Sequence, residues 1–167
     1  KRNYTPDLTP RVHHRVLFVG RLTTEKHVEV TLGAVAKLAP ELPNITFDIV
    51  GGGDQRRNLE QTVQRLGIQD RVTFHGRVDE EELRASYGKA DVFAIASIAE
   101  LQSIATMEAM ASGLPVVAAN AVALPHLVHD GENGYLFEPG NVDDLAAGLR
   151  RVLTASPEEY LRMQQAS

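Results

Sequence analysis

The 167-residue chain is 43% hydrophobic, has no cysteine, and carries 17 basic against 22 acidic side chains for a formal charge of −5. That composition suits one globular domain with a sizeable core. It excludes disulfides and cysteine catalysis, fits a reducing, cytoplasmic compartment, and offers nucleic acid no dense basic stretch.

Residues 1–14 are polar, with Pro6, Pro10 and the pair His13-His14, and are expected to form a linker or domain edge. The first residue is Lys1 rather than a methionine, as in a fragment of a longer protein, and no secretory leader or membrane-spanning run is expected. A regular alternation then begins. Arg15 to Val19 reads as strand one, and Thr23 or Thr24 can cap a helix reaching Leu38. Thr46 to Val50 is strand two, closed by Gly51-Gly52-Gly53-Asp54, and the next helix runs to Leu66 with Gly67 as its C-cap. Arg71 to His75 is strand three, and Asp79 caps an acidic-headed helix from Glu80 to Tyr87. Asp91 to Ala96 is strand four.

The central helix follows, from Ile104 to Ala111. It is apolar almost all round and is expected to be buried on most of its faces. Gly113 suits the position past its end, and Pro115 forbids continuation. From Leu101 to Pro125 the only charged side chain is Glu108. A lone carboxylate there must be hydrogen-bonded or bind something, because leaving it unpaired out of water is costly. The plainer alternatives are that Glu108 sits on the one wet side of the helix or pairs with a distant Arg. Leu114 to Ala118 is strand five, Leu124 to His129 a short helix, Tyr135 to Phe137 strand six, and Val142 to Leu153 an amphipathic helix. The residues after Ser156 read as a polar helix.

Apolar strands alternating with helices imply an α/β domain: a parallel sheet of about six strands with helices on both faces. Ligands bind such sheets at the C-terminal ends of the strands, so the loops leaving each strand carry the functional signal. In the loop that opens with Gly20 after strand one, Arg21, Lys26 and, when protonated, His27 bring positive charge to the start of a helix, where the dipole is already positive. An anion between them, a phosphate or diphosphate, makes sense of that charge. The alternative is two solvated cations, one offset by Glu25. Gly51 to Gly53 would let a ligand approach the backbone, or simply make a tight turn. His126 and His129 read as an ordinary helix edge, with no third residue at metal-site spacing. The dinucleotide-binding G-x-G-x-x-G, the P-loop and the G-x-S-x-G elbow are all absent from the sequence.

Taken together, the motifs resemble a known family. Gly20-Arg21-Leu22 with Glu25-Lys26, the three glycines 51–53, and Phe74-His75-Gly76-Arg77-Val78 are similar to the donor-binding domain of family 4 retaining glycosyltransferases. So are Glu100 and Glu108 with seven residues between, the run Glu108 to Val117, and Gly131-Glu132-Asn133-Gly134. The resemblance implies the GT-B fold, in which two Rossmann-like domains face each other across a cleft, and this chain resembles the C-terminal one. The partner N-terminal acceptor domain would lie outside the chain, leaving it inactive alone.

The resemblance also implies roles. Arg21, Lys26 and Glu100 would be the catalytic residues: the two cations hold the donor diphosphate, and Glu100 contacts hydroxyls of the transferred sugar. Glu108 would accept hydrogen bonds from the ribose, Arg77 and Val78 would flank the base, and the amides around Gln102, Ser103 and Ile104 would cradle sugar and phosphate, with Gly20 and Gly52 giving close approach. The reaction implied transfers a sugar with retention from a UDP- or GDP-sugar to an acceptor hydroxyl. The nucleotide-sugar is a substrate, no cofactor or metal is expected, and the full-length enzyme is compatible with peripheral association at the cytoplasmic face of a membrane. Two departures stand out: the family commonly has Gly where His27 stands, and an aromatic-glycine pair where Gln102-Ser103 stands. A non-catalytic nucleotide- or sugar-phosphate-binding module, or a related GT-B epimerase or phosphorylase, remains open.

Overall fold

The computed structural model describes residues 14–100 and 103–167. The first thirteen residues of the expected linker, and Leu101 and Gln102, lie outside the described residues. His14 belongs to the first strand.

Six short apolar runs bounded by Gly, Pro and Asn form the strands: β1 (His14–Val19), β2 (Ile45–Val50), β3 (Val72–Gly76), β4 (Val92–Ile95), β5 (Val116–Ala119) and β6 (Gly134–Phe137). They make one parallel sheet in the order β3-β2-β1-β4-β5-β6. The order reverses between β1 and β4, so their C-terminal ends flank the natural ligand crevice of this architecture. Helices α1 (Val28–Leu38), α2 (Arg56–Leu66), α3 (Glu80–Lys89), α4 (Ile104–Ala111), α5 (Leu124–Leu127), α6 (Val142–Leu153) and α7 (Pro157–Ala166) follow in turn. Right-handed crossovers place α1 and α2 on one face and α3 to α5 on the other. α6 returns to pack on α1. Strands β4 and β5 are buried at every residue, as a sheet covered on both faces requires. Phe18 and Phe93 stack across β1 and β4 with ring centroids 6.5 Å apart.

Several expectations hold in detail. Gly67 caps α2 with φ 70°, and Asp79 forms a full capping box with Glu82 at the head of α3. Others need correction. The helix expected from Thr23 or Thr24 to Leu38 is two pieces: a 3₁₀ turn over Thr24–Lys26 and then α1, divided at His27, which lies in the left-handed region (φ 49°, ψ 42°). Thr23 does not cap through its side chain, and its Oγ1 is buried without a partner. The family's usual Gly at His27 is thereby explained, since glycine adopts that backbone at no steric cost.

The central helix α4 is not buried on most faces. Only Thr106 and Ala109 are buried within it, while Ile104 is 64% exposed and Glu108 is also exposed. One stripe of short side chains suffices to seat it on β4 and β5, and among the described residues nothing covers its outer face. The terminal helix, expected to be polar, buries Tyr160 and Met163. Tyr160 donates to the Asp91 carbonyl at 2.5 Å and Ser167 to the Leu114 carbonyl at 2.8 Å, so α7 straps the N-terminal ends of β4 and β5, away from the crevice.

Candidate active site

On the β1–β2–β3 side the site is made by backbone. The Gly20 amide donates to the Val50 carbonyl and the Leu22 amide to the Gly52 carbonyl, both at 3.0 Å, so the loop leaving β1 lies flat on the glycines leaving β2. A Cβ on Gly51 would stand 1.9 Å from the Gly20 oxygen, and one on Gly53 2.4 Å from the Leu22 oxygen. For these two glycines the tight-turn reading is sufficient. Gly52 differs: a Cβ there would meet nothing closer than Arg77 Cγ at 3.7 Å, an ordinary contact. The protein's own packing therefore does not require glycine at 52.

Gly20, Arg21, Gly51, Gly52, Arg77 and Val78 line a cleft of about 640 Å³. All six were singled out from the sequence. Arg21 and Arg77 are exposed, and neither has a carboxylate partner among the described residues. Two guanidiniums lining one cleft, unpaired among the described residues in a chain of net negative charge, suit an anionic ligand whose oxygens can take two N–H bonds from one planar fork. A second hollow of about 420 Å³, between α2 and β3, is lined by Arg57, Glu60, Gln64 and Phe74 and holds none of the expected site residues.

On the β4–β5 side the site is made by side chains that hold one another. The Ile98 amide donates to the Glu25 carbonyl at 3.3 Å, tying the loop after β4 to the 3₁₀ turn. This brings Lys26 to Glu100, and the two form an ion pair, with the Lys26 side chain 20% and the Glu100 side chain 9% exposed. The Glu100 carbonyl accepts from the Ala123 amide at 3.0 Å, fixing the loop from the β5 side as well. Ser103 is the N-cap of α4: its Oγ accepts from the Thr106 amide at 3.2 Å and donates to Thr106 Oγ1 at 2.6 Å. With that hydroxyl occupied and buried, Ser103 can offer a ligand its backbone amide, beside that of Ile104. Gln102 falls outside the described residues.

Glu108 lies on the wet side of α4, the first of the two plainer alternatives, and pairs with no Arg among the described residues. Its Oε1 lies 3.0 Å from the hydroxyl of Tyr87 on α3, and no cation pairs with it among the described residues. Burial first, then the Glu108 charge and the hydrogen bond to it, push the Tyr87 phenol far above its ordinary value, so it remains a donor. Sequence reading missed Tyr87. The signal was its spacing from Leu83, one turn apart in a helix otherwise polar, which marks the inward stripe. His129 approaches Glu132 at 3.8 Å. Among the described residues no three His, Asp or Glu side chains are grouped to hold a metal ion.

The sequence pattern of the family described as "Glycosyl transferases group 1" matches residues 10–167. The chain belongs to the group 1 glycosyl transferases. An uncharacterized glycosyltransferase of Methanocaldococcus jannaschii is 39% identical over 139 residues, which is 83% of this chain and 35% of the relative. Among solved structures, the sucrose-phosphate synthase of Thermosynechococcus elongatus superposes with a TM-score of 0.83 at 33% identity, covering 92% of this chain and 39% of that one. The Anabaena protein HepE, in complex with UDP and glucose, gives 0.81 at 28% identity, covering 92% and 43%. The chain spans less than half the length of these curated relatives. Its six-stranded parallel sheet is thus one Rossmann-like unit of a group 1 glycosyl transferase.

Proposed function

We propose that this domain binds the nucleotide-sugar donor of a retaining glycosyltransferase that moves a sugar from UDP or GDP to an acceptor hydroxyl. The observation that carries the reading is Arg21, whose guanidinium has no carboxylate partner among the described residues and lines one cleft with Arg77 and the open backbone of Gly52. Arg21 and Lys26 take the diphosphate. As the anomeric C–O bond breaks, its electron pair passes to a diphosphate oxygen, and the same cations stabilise the charge that appears there. These cations are this chain's own counter-charge, so the reading needs no metal. Glu100 contacts hydroxyls of the transferred sugar, the amides of Ser103 and Ile104 cradle sugar and phosphate, Glu108 accepts the ribose hydroxyls, and Arg77 and Val78 flank the base. The complex of HepE with UDP and glucose supports such a ligand for this fold.

The acceptor half of the cleft comes from elsewhere in the protein, and without it this domain binds donor but does not transfer, because positioning supplies a large share of the rate. No helix among the described residues is long and apolar enough to cross a membrane. From the family resemblance we separately propose an enzyme of the cytoplasm, attached at most peripherally. Calorimetric titration of the intact protein with UDP-, GDP- and ADP-sugars, with free nucleotide diphosphate followed over time, tests the reading. Binding accompanied by nucleotide release is expected. Binding with no release under any acceptor would assign a non-catalytic module, and no binding of any nucleotide-sugar would overturn the proposal.

A further inference from the structure

Glu108 sits on an exposed face of α4, where a glutamate ordinarily samples several rotamers and fixing it costs conformational entropy. A cation would fix it strongly but would also neutralise it and compete with incoming hydroxyls. The structure supplies a neutral donor instead. The Tyr87 hydroxyl reaches Oε1 at 3.0 Å, and among the described residues Oε2 takes no hydrogen bond. The phenol is itself immobile: Tyr87 is 3% exposed, and its ring rests on Phe93 with centroids 6.4 Å apart. Phe93 stacks in turn on Phe18. A fixed point in the core is thereby extended to one oxygen of a surface carboxylate, leaving the carboxylate charged and its other oxygen open to a ligand.

We infer that Tyr87 is a positioning residue, whose hydroxyl holds the Glu108 carboxylate ready for the two ribose hydroxyls and so sets the preference of this site for ribonucleotides. The inference rests on the proposed contact of Glu108 with ribose. Its structural rival is visible too, because the same hydroxyl lies 3.2 Å from the Ala105 carbonyl and could serve merely to tie α3 to α4.

The test compares, in the intact protein, affinities for UDP or GDP, for the matching 2′,3′-dideoxynucleotide, and for inorganic diphosphate. The parent should prefer the ribonucleotide, and Glu108→Gln should cut that preference. Tyr87→Phe keeps the ring and removes one oxygen. It should lower the preference by about three- to tenfold, less than the full worth of a hydrogen bond to a charged group, because the hydroxyl orients Glu108 and does not itself touch the ligand, with the diphosphate affinity unchanged. A preference intact in Tyr87→Phe but reduced in Glu108→Gln overturns the inference and leaves Tyr87 a structural tie, whatever the melting temperature does. A preference unaffected by Glu108→Gln sinks the ribose contact first and this inference with it. Should Tyr87→Phe not fold, Phe93→Leu loosens the ring's support while keeping the hydroxyl; a smaller drop in preference is then expected, and an unchanged preference overturns the inference.

Discussion

On the β1–β2–β3 side of the crevice the backbone makes the space, whereas on the β4–β5 side, outside the cleft of about 640 Å³, side chains hold one another in place. Gly51 and Gly53 let two loops touch, Gly52 leaves room, and Arg21 and Arg77 stand unpaired at the edge. Across the crevice, Lys26 holds Glu100, Ser103 holds Thr106 and Tyr87 holds Glu108. The first side is preformed by exclusion and waits for a charge. The second is satisfied except at Glu108 Oε2, so elsewhere on it a ligand must exchange existing hydrogen bonds for its own. Substitutions on the two sides should therefore fail in different ways.

The largest effect is expected on the backbone side, and it should split between adjacent residues. Gly51→Ala places a methyl 1.9 Å from the Gly20 oxygen at a backbone φ of 126°, which should cost on the order of 4 kcal/mol of stability. Gly52→Ala meets only Arg77 at 3.7 Å. It should change stability by less than about 0.5 kcal/mol while weakening nucleotide binding. Denaturant unfolding and calorimetry on the two variants decide it. A Gly52→Ala protein that binds nucleotides normally would remove the ligand from that floor.

The next prediction sets the two sides against each other through two cations that look alike in the sequence. Arg21→Ala should lose about tenfold or more in nucleotide diphosphate affinity, from a charged hydrogen bond worth roughly 1.5–3 kcal/mol, with stability unchanged. Lys26→Ala should lose affinity and also stability, because it strands Glu100, which is 8% exposed. Breaking a fully buried pair costs about 3–5 kcal/mol, and the partial exposure of Lys26 brings the expectation down to about 1–3 kcal/mol. Adding Glu100→Gln to Lys26→Ala should restore part of it. Equal stability losses in Arg21→Ala and Lys26→Ala would erase the distinction between the sides.

The backbone side was also the more legible. Glycines, prolines and apolar runs mark strand ends locally, so six of the nine cleft-lining residues and every strand were visible within a residue or two. The pairings of the other side were not, because Lys26 and Glu100 are 74 positions apart and Tyr87 and Glu108 are 21. Only the folded loops bring them together. The break at His27 was hidden for another reason: a left-handed residue that is not glycine leaves no local pattern. The exposure of α4 was misjudged because a helix apolar all round need not find cover all round. The buried stripe of α7 holds only two apolar side chains, Tyr160 and Met163, beside Gln164, and was masked by its charged neighbours.

Alkaline pH sharpens the account of Tyr87. The folded phenol is raised above its ordinary value of 10.0, while an unfolded chain ionises there. The contribution of the neutral phenol is thus complete below about pH 10 and is lost as pH rises beyond it, by about 1.4 kcal/mol per pH unit. Tyr87→Phe has no such proton to lose. The stability gap between parent and variant should accordingly narrow from about pH 9 to about pH 11. A constant gap would mean that the phenol ionises freely in the native protein, and that it does not sit locked against Glu108.

The smallest effect concerns strain at the satisfied side. Among the described residues two that are not glycine have positive φ, His27 at 49° and Val122 at 51°. Both lie in loops that steer Lys26 and Glu100: His27 follows Lys26 directly, and the residue after Val122 donates its amide to the Glu100 carbonyl. Left-handed backbone costs an ordinary residue about 1–2 kcal/mol, and a β-branched one is the worst placed to bear it. Glycine removes that cost but gives back about 0.5–1 kcal/mol in chain entropy. Val122 is 50% exposed, so little burial is lost with its side chain. Val122→Gly should therefore stabilise by about 0.5–1 kcal/mol. His27→Gly should be close to neutral, since histidine tolerates this region and its 3.2 Å contact with Glu29 is lost as well. Nucleotide affinity should stay as it was in Val122→Gly, because Lys26 still holds the Glu100 carboxylate. If Val122→Gly instead destabilised the protein, the valine would be packing against something that its exposure does not reveal. If it stabilised the fold while weakening nucleotide binding, the strain itself would be what keeps Glu100 in register.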